Sequence, residues 1–185
     1  MKNVYLSLEN SLENQQLRAL IENDSQFNEV DKMNDQQHYT VIVNGPLTEL
    51  SNLLLNHYSL KNNIDEVLFI GGTDCYGDVT TVGEKNVMAD VKSAQSVFLS
   101  GVKVVVCGLN VTREMENRAL AGYVYLKDKS VFTLENCGIF IETKGTVCYG
   151  KMVNDVYSDA QFADQHCQMV MAIDKEKYLT FVNKY

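Results

Sequence analysis

Carboxylates gather in one stretch of the sequence, residues 67–86, VLFIGGTDCYGDVTTVGEKN. Asp74, Asp78, Glu84 and Asn86 fall in a polar segment punctuated by Gly71, Gly72, Gly77 and Gly83. A carboxylate held in a pocket with a raised pKa can act as a general base. A second pair, Glu9 and Glu13, follows the first apolar run. Two carboxylates near a helix start either form a weak cation site or face water and favour the helix dipole. For residues 71–86 the competing account is an acidic surface loop without chemistry.

The elements that must position these groups read as alternating strands and helices. Val67, Leu68, Phe69 and Ile70 form an apolar run stopped by Gly71 and Gly72, a buried strand breaking into a loop. In an open α/β sheet, ligands bind beyond the carboxyl ends of the strands, which is where this loop would lie. Residues 4–8 and 39–43 read as further strands. Asn10 or Ser11 then opens a helix along Leu12, Leu17, Leu20 and Ile21. Residues 24–37 lack a period and read as a loop. Pro46 suits the first position of a helix whose buried face is Leu47, Leu50, Leu53, Leu54 and Tyr58. Asp90 caps a helix burying Val91, Ala94, Val97 and Phe98, ended by Gly101. The apolar run 102–107 suits a central parallel strand, followed by a helix with Met115, Ala119, Tyr123 and Leu126 on one face. Residues 137–143 and 146–149 read as strands joined through Lys144 and Gly145, and residues 151–166 as a polar loop. Cys167, Met169, Met171 and Ile173 alternate as a half-buried strand, and Asp174 caps a closing helix with Tyr178, Phe181 and Val182 inward. Four strand–helix units predict an α/β fold, a three-layer α/β/α sandwich with a mainly parallel central sheet.

Composition narrows the function. The 185 residues are 45% hydrophobic and 22% charged, as expected of one globular domain spanning 1–185. A net charge of −8 supplies no basic excess for counterion release, so nucleic acid is not an expected partner. No apolar run is long enough to span a membrane, and Glu9 interrupts the N-terminal apolar stretch too early for a signal peptide. The five cysteines form no C-x-x-C pair and suit a reduced, cytoplasmic protein. His38, His57 and His166 lack zinc-ligand spacing, and no Walker loop, nucleophile elbow or G-x-G-x-x-G occurs.

The stretch that carries the carboxylates resembles the inosine-uridine preferring nucleoside hydrolase family. There a strand ends in Met-Gly-Gly, followed by Gly-Asn and Val-Thr-Pro-Val-Ala-Glu-Phe-Asn. The matching residues here are Ile70-Gly71-Gly72, Gly77-Asp78 and residues 79–86, without a gap. The resemblance implies that Glu84 and Asn86 grip ribose hydroxyls, with Ile70 and Asp78 completing the ligand-binding set. Ile70 replaces Met, Asp78 replaces Asn and Lys85 replaces Phe. Further likenesses are Asn44-Gly45-Pro46-Leu47-Thr48 to Thr-Gly-Pro-Leu-Thr, Gly108-Leu109-Asn110-Val111-Thr112 to Gly-Leu-Asp-Val-Thr, and residues 141–145 to Val-Glu-Thr-Lys-Gly. The implied architecture is a shortened, Rossmann-like nucleoside hydrolase sandwich. Since both ends resemble family ends, a whole, pared-down protein is expected.

The same resemblance places the family's calcium-binding and water-activating aspartates on Ser7, Glu9, Glu13 and Asn14. A calcium-binding backbone carbonyl falls on Asn44, and the leaving-group acid and a further calcium ligand fall on Arg118 and Ala119. Calcium takes six to eight oxygens at about 2.3–2.6 Å. Exchanging Asp for Ser, Asn or Ala, and the leaving-group His for Arg, removes charge, base and acid, so no catalytic residue and no cofactor is expected. Glu9, Glu13 and Asn44 are the only candidates for a residual calcium site. The expected function is a hydrolase relative that has lost calcium-dependent N-ribohydrolase activity while retaining ribose or nucleoside binding. The alternatives are an active nucleosidase with a rebuilt acidic site drawn from Glu9, Glu13, Asp78 or Glu84, and a non-catalytic interaction subunit that forms a homo-oligomer.

Overall fold

The computed structural model describes residues 3–7, 15, 18–19, 27–29, 32–157 and 166–183. Among these, eight strands build one sheet: β1 (Asn3–Ser7), β2 (Phe27–Glu29), β3 (Tyr39–Val43), β4 (Ile64–Ile70), β5 (Val104–Cys107), β6 (Phe132–Ile141), β7 (Met152–Asp155) and β8 (Cys167–Ile173). Their spatial order is β2-β1-β3-β4-β5-β8-β6-β7. Strands β2, β1, β3, β4, β5 and β8 run parallel, and β6 pairs antiparallel with both β8 and β7.

The helices are α1 (Thr48–Asn56), α2 (Lys85–Ala89), α3 (Val91–Phe98), α4 (Leu109–Thr112), α5 (Ala119–Lys127) and α6 (Lys175–Val182). Every residue of β3 and β5 is buried, because helices cover both faces. Successive side chains therefore enter opposite layers. Val41, Val67, Phe69, Val104 and Val106 pack with Leu47, Leu50, Leu54, Ala94, Val97 and Phe98 on the α1/α3 side. Ile42, Leu68, Ile70 and Val105 pack with Ala121, Val124 and Tyr125 of α5 on the other. Phe69 and Phe98 meet edge to face, with centroids 6.1 Å apart. Burying one such side chain contributes roughly 1.5–3 kcal/mol, which helps to anchor β4. The three-layer sandwich is the architecture expected from the alternating units.

Several local expectations change. Phe27–Glu29 adds a short parallel strand beside β1 within the segment read as a loop. Helix α1 begins at Thr48, two residues past Pro46, and Tyr58 lies outside it, 70% exposed. Residues 85–89 form the separate helix α2, which the glycine-rich reading of this stretch hid. Met115 belongs to no helix, because α4 stops at Thr112 and α5 starts at Ala119. The second strand of the β6–β7 hairpin is Met152–Asp155, not residues 146–149, which form a turn. Here the backbone ladder outweighs side-chain polarity: β7 pairs with residues 138–141 of β6. In β8 the alternation breaks at Met171, 40% exposed, close to the register shift between Thr133 and Leu134.

Helix α5 lies close on the sheet because Gly122 faces it. A Cβ at Gly122 would sit 3.0 Å from Ile70 Cδ1 and 3.2 Å from Ile42 Cγ2. Gly122→Val should cost about 1–3 kcal/mol by overpacking, read as a lower urea midpoint. An unchanged midpoint would show that α5 can lift off freely.

All five cysteines are free, with Cys75 and Cys148 exposed and the other three buried. Burial pushes the Cys107 and Cys137 thiols up to about 12 and that of Cys167 up to about 11. A thiol reagent at neutral pH should label Cys75 and Cys148 at once and the other three only on unfolding. Fast labelling of Cys107 would contradict this packing.

Candidate functional site

Strands β3, β4 and β5 end together, so Asn44, Gly71 and Gly108 lie along one rim of the sheet. The ladder continues past the strand ends: Gly71 N–H donates to the Cys107 carbonyl (3.2 Å) and Leu109 N–H to the Gly72 carbonyl (2.9 Å). Gly72 adopts φ +73°, a left-handed conformation natural to glycine, and a Cβ there would meet Met152 Sδ at 2.7 Å. The chain then folds back on itself through residues 73–83. Gly77 N–H donates to the Thr81 carbonyl (3.0 Å), Val79 N–H to the Gly83 carbonyl (3.2 Å), and Gly83 N–H to Thr80 Oγ1 (2.8 Å). A Cβ on Gly77 would fall 2.0 Å from the Gly83 oxygen, so only glycine fits. Arg113 stacks over the Tyr76 ring at 4.1 Å and donates to the Tyr76 and Gly77 carbonyls. The acidic stretch is thus a cross-braced turn rather than a featureless surface loop.

Glu84 stands at the centre of this turn. It is the N-cap of α2, and its Oε2 accepts from the Gly72, Asn86 and Val87 amides at 2.8, 3.0 and 3.2 Å. Its side chain has no solvent exposure. Burial pushes its pKa above the ordinary 4.5; the three amides pull against that and the nearby Asp78 charge adds to it. Oε1 is buried and accepts no hydrogen bond among the described residues. Asp78 Oδ1 accepts from Lys85 N–H (2.8 Å), and Asn86 Nδ2 donates to the Ile70 carbonyl (2.8 Å). All four expected ligand-binding residues, Ile70, Asp78, Glu84 and Asn86, therefore come together.

Arg118 joins them. It is the N-cap residue of α5, and its Nη1 lies 3.6 Å from Asp78 Oδ2 and 3.7 Å from Glu84 Oε1. The sequence marks this position only as a place where an acid is lacking. What it holds is a cation beside two carboxylates. The available signal was a lone arginine opening the apolar run Ala119–Lys127, where a charge needs a partner.

The calcium positions divide. Glu9, Glu13 and Asn14 lie outside the described residues, as does the Ser7 side chain. Asn44 is 8% exposed beyond β3, and Ala119 presents a fully buried methyl group. Asn110 donates from Nδ2 to the Val170 carbonyl (2.8 Å), leaving a neutral, buried Oδ1. No group of three His, Cys, Asp or Glu side chains that could hold a metal forms among the described residues. Calcium wants six to eight oxygens with carboxylate charge. Among the described positions Asn44 supplies only uncharged oxygens, Ala119 no side-chain oxygen and Arg118 a positive charge, and the carboxylates Glu9 and Glu13 lie outside the described residues.

A family model described as inosine-uridine preferring nucleoside hydrolase matches residues 7–123. The non-specific ribonucleoside hydrolase RihC of Salmonella schwarzengrund is 24% identical over 186 aligned residues, covering 81% of this chain and 60% of that protein. The pyrimidine-specific ribonucleoside hydrolase RihA of Shewanella woodyi is 35% identical over 81 residues, 44% of this chain and 26% of that protein. The chain thus spans about 60% of the length of a relative that it matches along most of its own. A plant nucleoside hydrolase, PpNRh1, superposes with a TM-score of 0.70 at 14% identity, covering 96% of this chain and 68% of that one. The purine-preferring ribonucleoside hydrolase from Gardnerella vaginalis superposes at 0.65 and 16% identity, covering 94% and 64%. At these identities the likeness shows the fold.

Replacing Glu84 by Gln keeps an oxygen for the amides and removes the titration. The folded carboxyl binds its proton more tightly than the unfolded one, so ionisation weighs against the folded state. Wild-type stability relative to Glu84→Gln should therefore fall as pH rises from 4.5 towards the higher folded pKa. A rise over that interval, measured by urea unfolding at stepped pH, contradicts burial as the dominant effect.

Proposed function

Because the chain belongs to the inosine-uridine preferring nucleoside hydrolase family, we propose that it binds a ribose-bearing ligand, a nucleoside first of all, without calcium-dependent hydrolysis of the N-glycosidic bond. The observation that carries this reading is the Oε1 of Glu84, a carboxylate oxygen buried with no hydrogen-bond donor among the described residues, in the residue that the family resemblance assigns to ribose. A buried acceptor left unmade costs about 1–3 kcal/mol, and a sugar hydroxyl would satisfy it. The Oε2 amides and the Asp78–Lys85 bond preorganise the carboxylate, so little ordering is left to ligand binding.

The lack of hydrolysis follows from what stands at the leaving-group position. Arginine keeps its proton at any pH near neutral, so Arg118 cannot protonate a departing base. Ala119 beside it has no side-chain oxygen to offer a metal. Family chemistry needs a metal-lowered water pKa together with base and acid, and groups that act as a unit fail together.

A nucleoside panel incubated with and without calcium should release no free ribose above a Glu84→Ala control. Calorimetry should detect binding of ribose or a nucleoside to the wild type and none to that control. Calcium-stimulated ribose release would overturn the non-hydrolytic reading. Heatless, shiftless titrations with every sugar tried would overturn the binding one.

A further inference from the structure

The Arg118 guanidinium and Glu84 Oε1 face each other, neither with a hydrogen bond among the described residues. Nη1 lies 3.7 Å from Glu84 Oε1 and 3.6 Å from Asp78 Oδ2. Protein N–H···O bonds centre on about 2.9 Å, so the guanidinium attracts both carboxylates without giving either a hydrogen bond. It donates to no other side chain or carbonyl among the described residues. The Arg118 side chain is 24% exposed and that of Glu84 not at all. A guanidinium and a carboxylate oxygen, neither with a hydrogen bond among the described residues, therefore lie side by side with little exposure to water.

We infer that Arg118 is a ligand-binding residue of this site: one sugar hydroxyl donates its hydrogen to Glu84 Oε1 and accepts a hydrogen bond from Arg118 Nη1. This rests on the ribose-binding reading and adds to it the residue that selects the hydroxyl. The chemistry narrows the choice of group. An anion would meet Asp78 and Glu84, both within 3.7 Å of the guanidinium. An ammonium would meet Arg118 itself, and an amide NH2 could serve Glu84 but not the arginine. A hydroxyl is donor and acceptor on one atom, so it alone serves both without adding charge.

Such a pair acts as a specificity device, because a site built around a hydroxyl rejects an analogue that lacks it. With charged partners on both sides, the loss should be about tenfold or more in affinity. A merely structural Arg118, bridging α5 to the turn, would change stability and leave hydroxyl selection untouched.

The experiment is calorimetric titration of inosine and its 2′-, 3′- and 5′-deoxy analogues into wild type, Arg118→Lys and Arg118→Met, with thermal unfolding of each protein alongside. In the wild type, one deoxy position should weaken binding about tenfold or more. In Arg118→Met, inosine itself should weaken by a similar factor and the penalty for that same deoxy position should largely vanish. Arg118→Lys, which keeps the charge but not the planar fork, should fall between them. Equal inosine affinity in wild type and Arg118→Met, or an unchanged deoxy penalty, overturns the inference and leaves ribose binding standing. Should a variant not fold, the wild-type series still decides, since equal affinity for all four nucleosides also overturns it. Absence of any sugar binding by the wild type removes the ribose reading and this inference together.

Discussion

A carboxylate taken out of water has to be met by donors, and Glu84 imposes that demand on everything around it. The effective cost of burying such an ion is several kcal/mol unless hydrogen bonds repay it. Repayment comes from the Gly72, Asn86 and Val87 amides, which lie on both sides of the turn. The turn must therefore bring residue 84 back to the end of β4. That return requires the left-handed Gly72 and the contact at Gly77 that leaves no room for a Cβ. Asp78 then ties the outer limb of the turn to the first residue of α2. Local backbone geometry and a single buried charge are two aspects of the same constraint.

The second arm of the site arrives from far along the chain. Helix α5 is buried on nearly every side, and Gly122 lets it settle against Ile42 and Ile70 of neighbouring strands. Its height above the sheet fixes where its first residue, and hence Arg118, meets the turn. Packing in the apolar layer thus sets an electrostatic distance at the rim. A contrasting charge cluster sits near the opposite ends of the strands, where buried Glu66 pairs with Lys103 and Lys129. There the lysine heads are about half exposed and the ions are directly paired, as a structural bridge requires.

Much of this was legible in the residues themselves. The apolar runs of β3, β4 and β5 and the Asp90 and Asp174 caps stand where periodicity and cap chemistry put them; Asp90 accepts from Ser93 N–H and Asp174 from Lys177 N–H. What stayed hidden depended on partners remote in sequence. Met152–Asp155 looks polar and loop-like alone, yet is a strand because β6 offers it a ladder. Helix α2 is only five residues long and gains its start from Glu84, a residue read for its ligand chemistry and not as a cap. Arg118 is the sharpest case. Its spacing from the following Tyr125 and Leu126 shows what is lacking there, whereas its role depends on residues 34 and 40 positions earlier, Glu84 and Asp78.

Under the proposed function, the arginine at residue 118 gives a physical reason for binding and bond cleavage to part company within one fold. Catalysis rewards only interactions that strengthen as charge develops in the transition state. An oxocarbenium-like sugar gains positive charge, and a guanidinium beside Asp78 and Glu84 would oppose it. The same guanidinium, facing a neutral hydroxyl in the ground state, is a strong hydrogen-bond donor. Under the proposed reading, Arg118 therefore stabilises the bound nucleoside while raising the barrier to its breakdown, as a binding protein built on a hydrolase frame requires. On that reading, reverting Arg118 alone would lift that opposition and return an acid without restoring a base or a metal, since those tasks belonged to other positions.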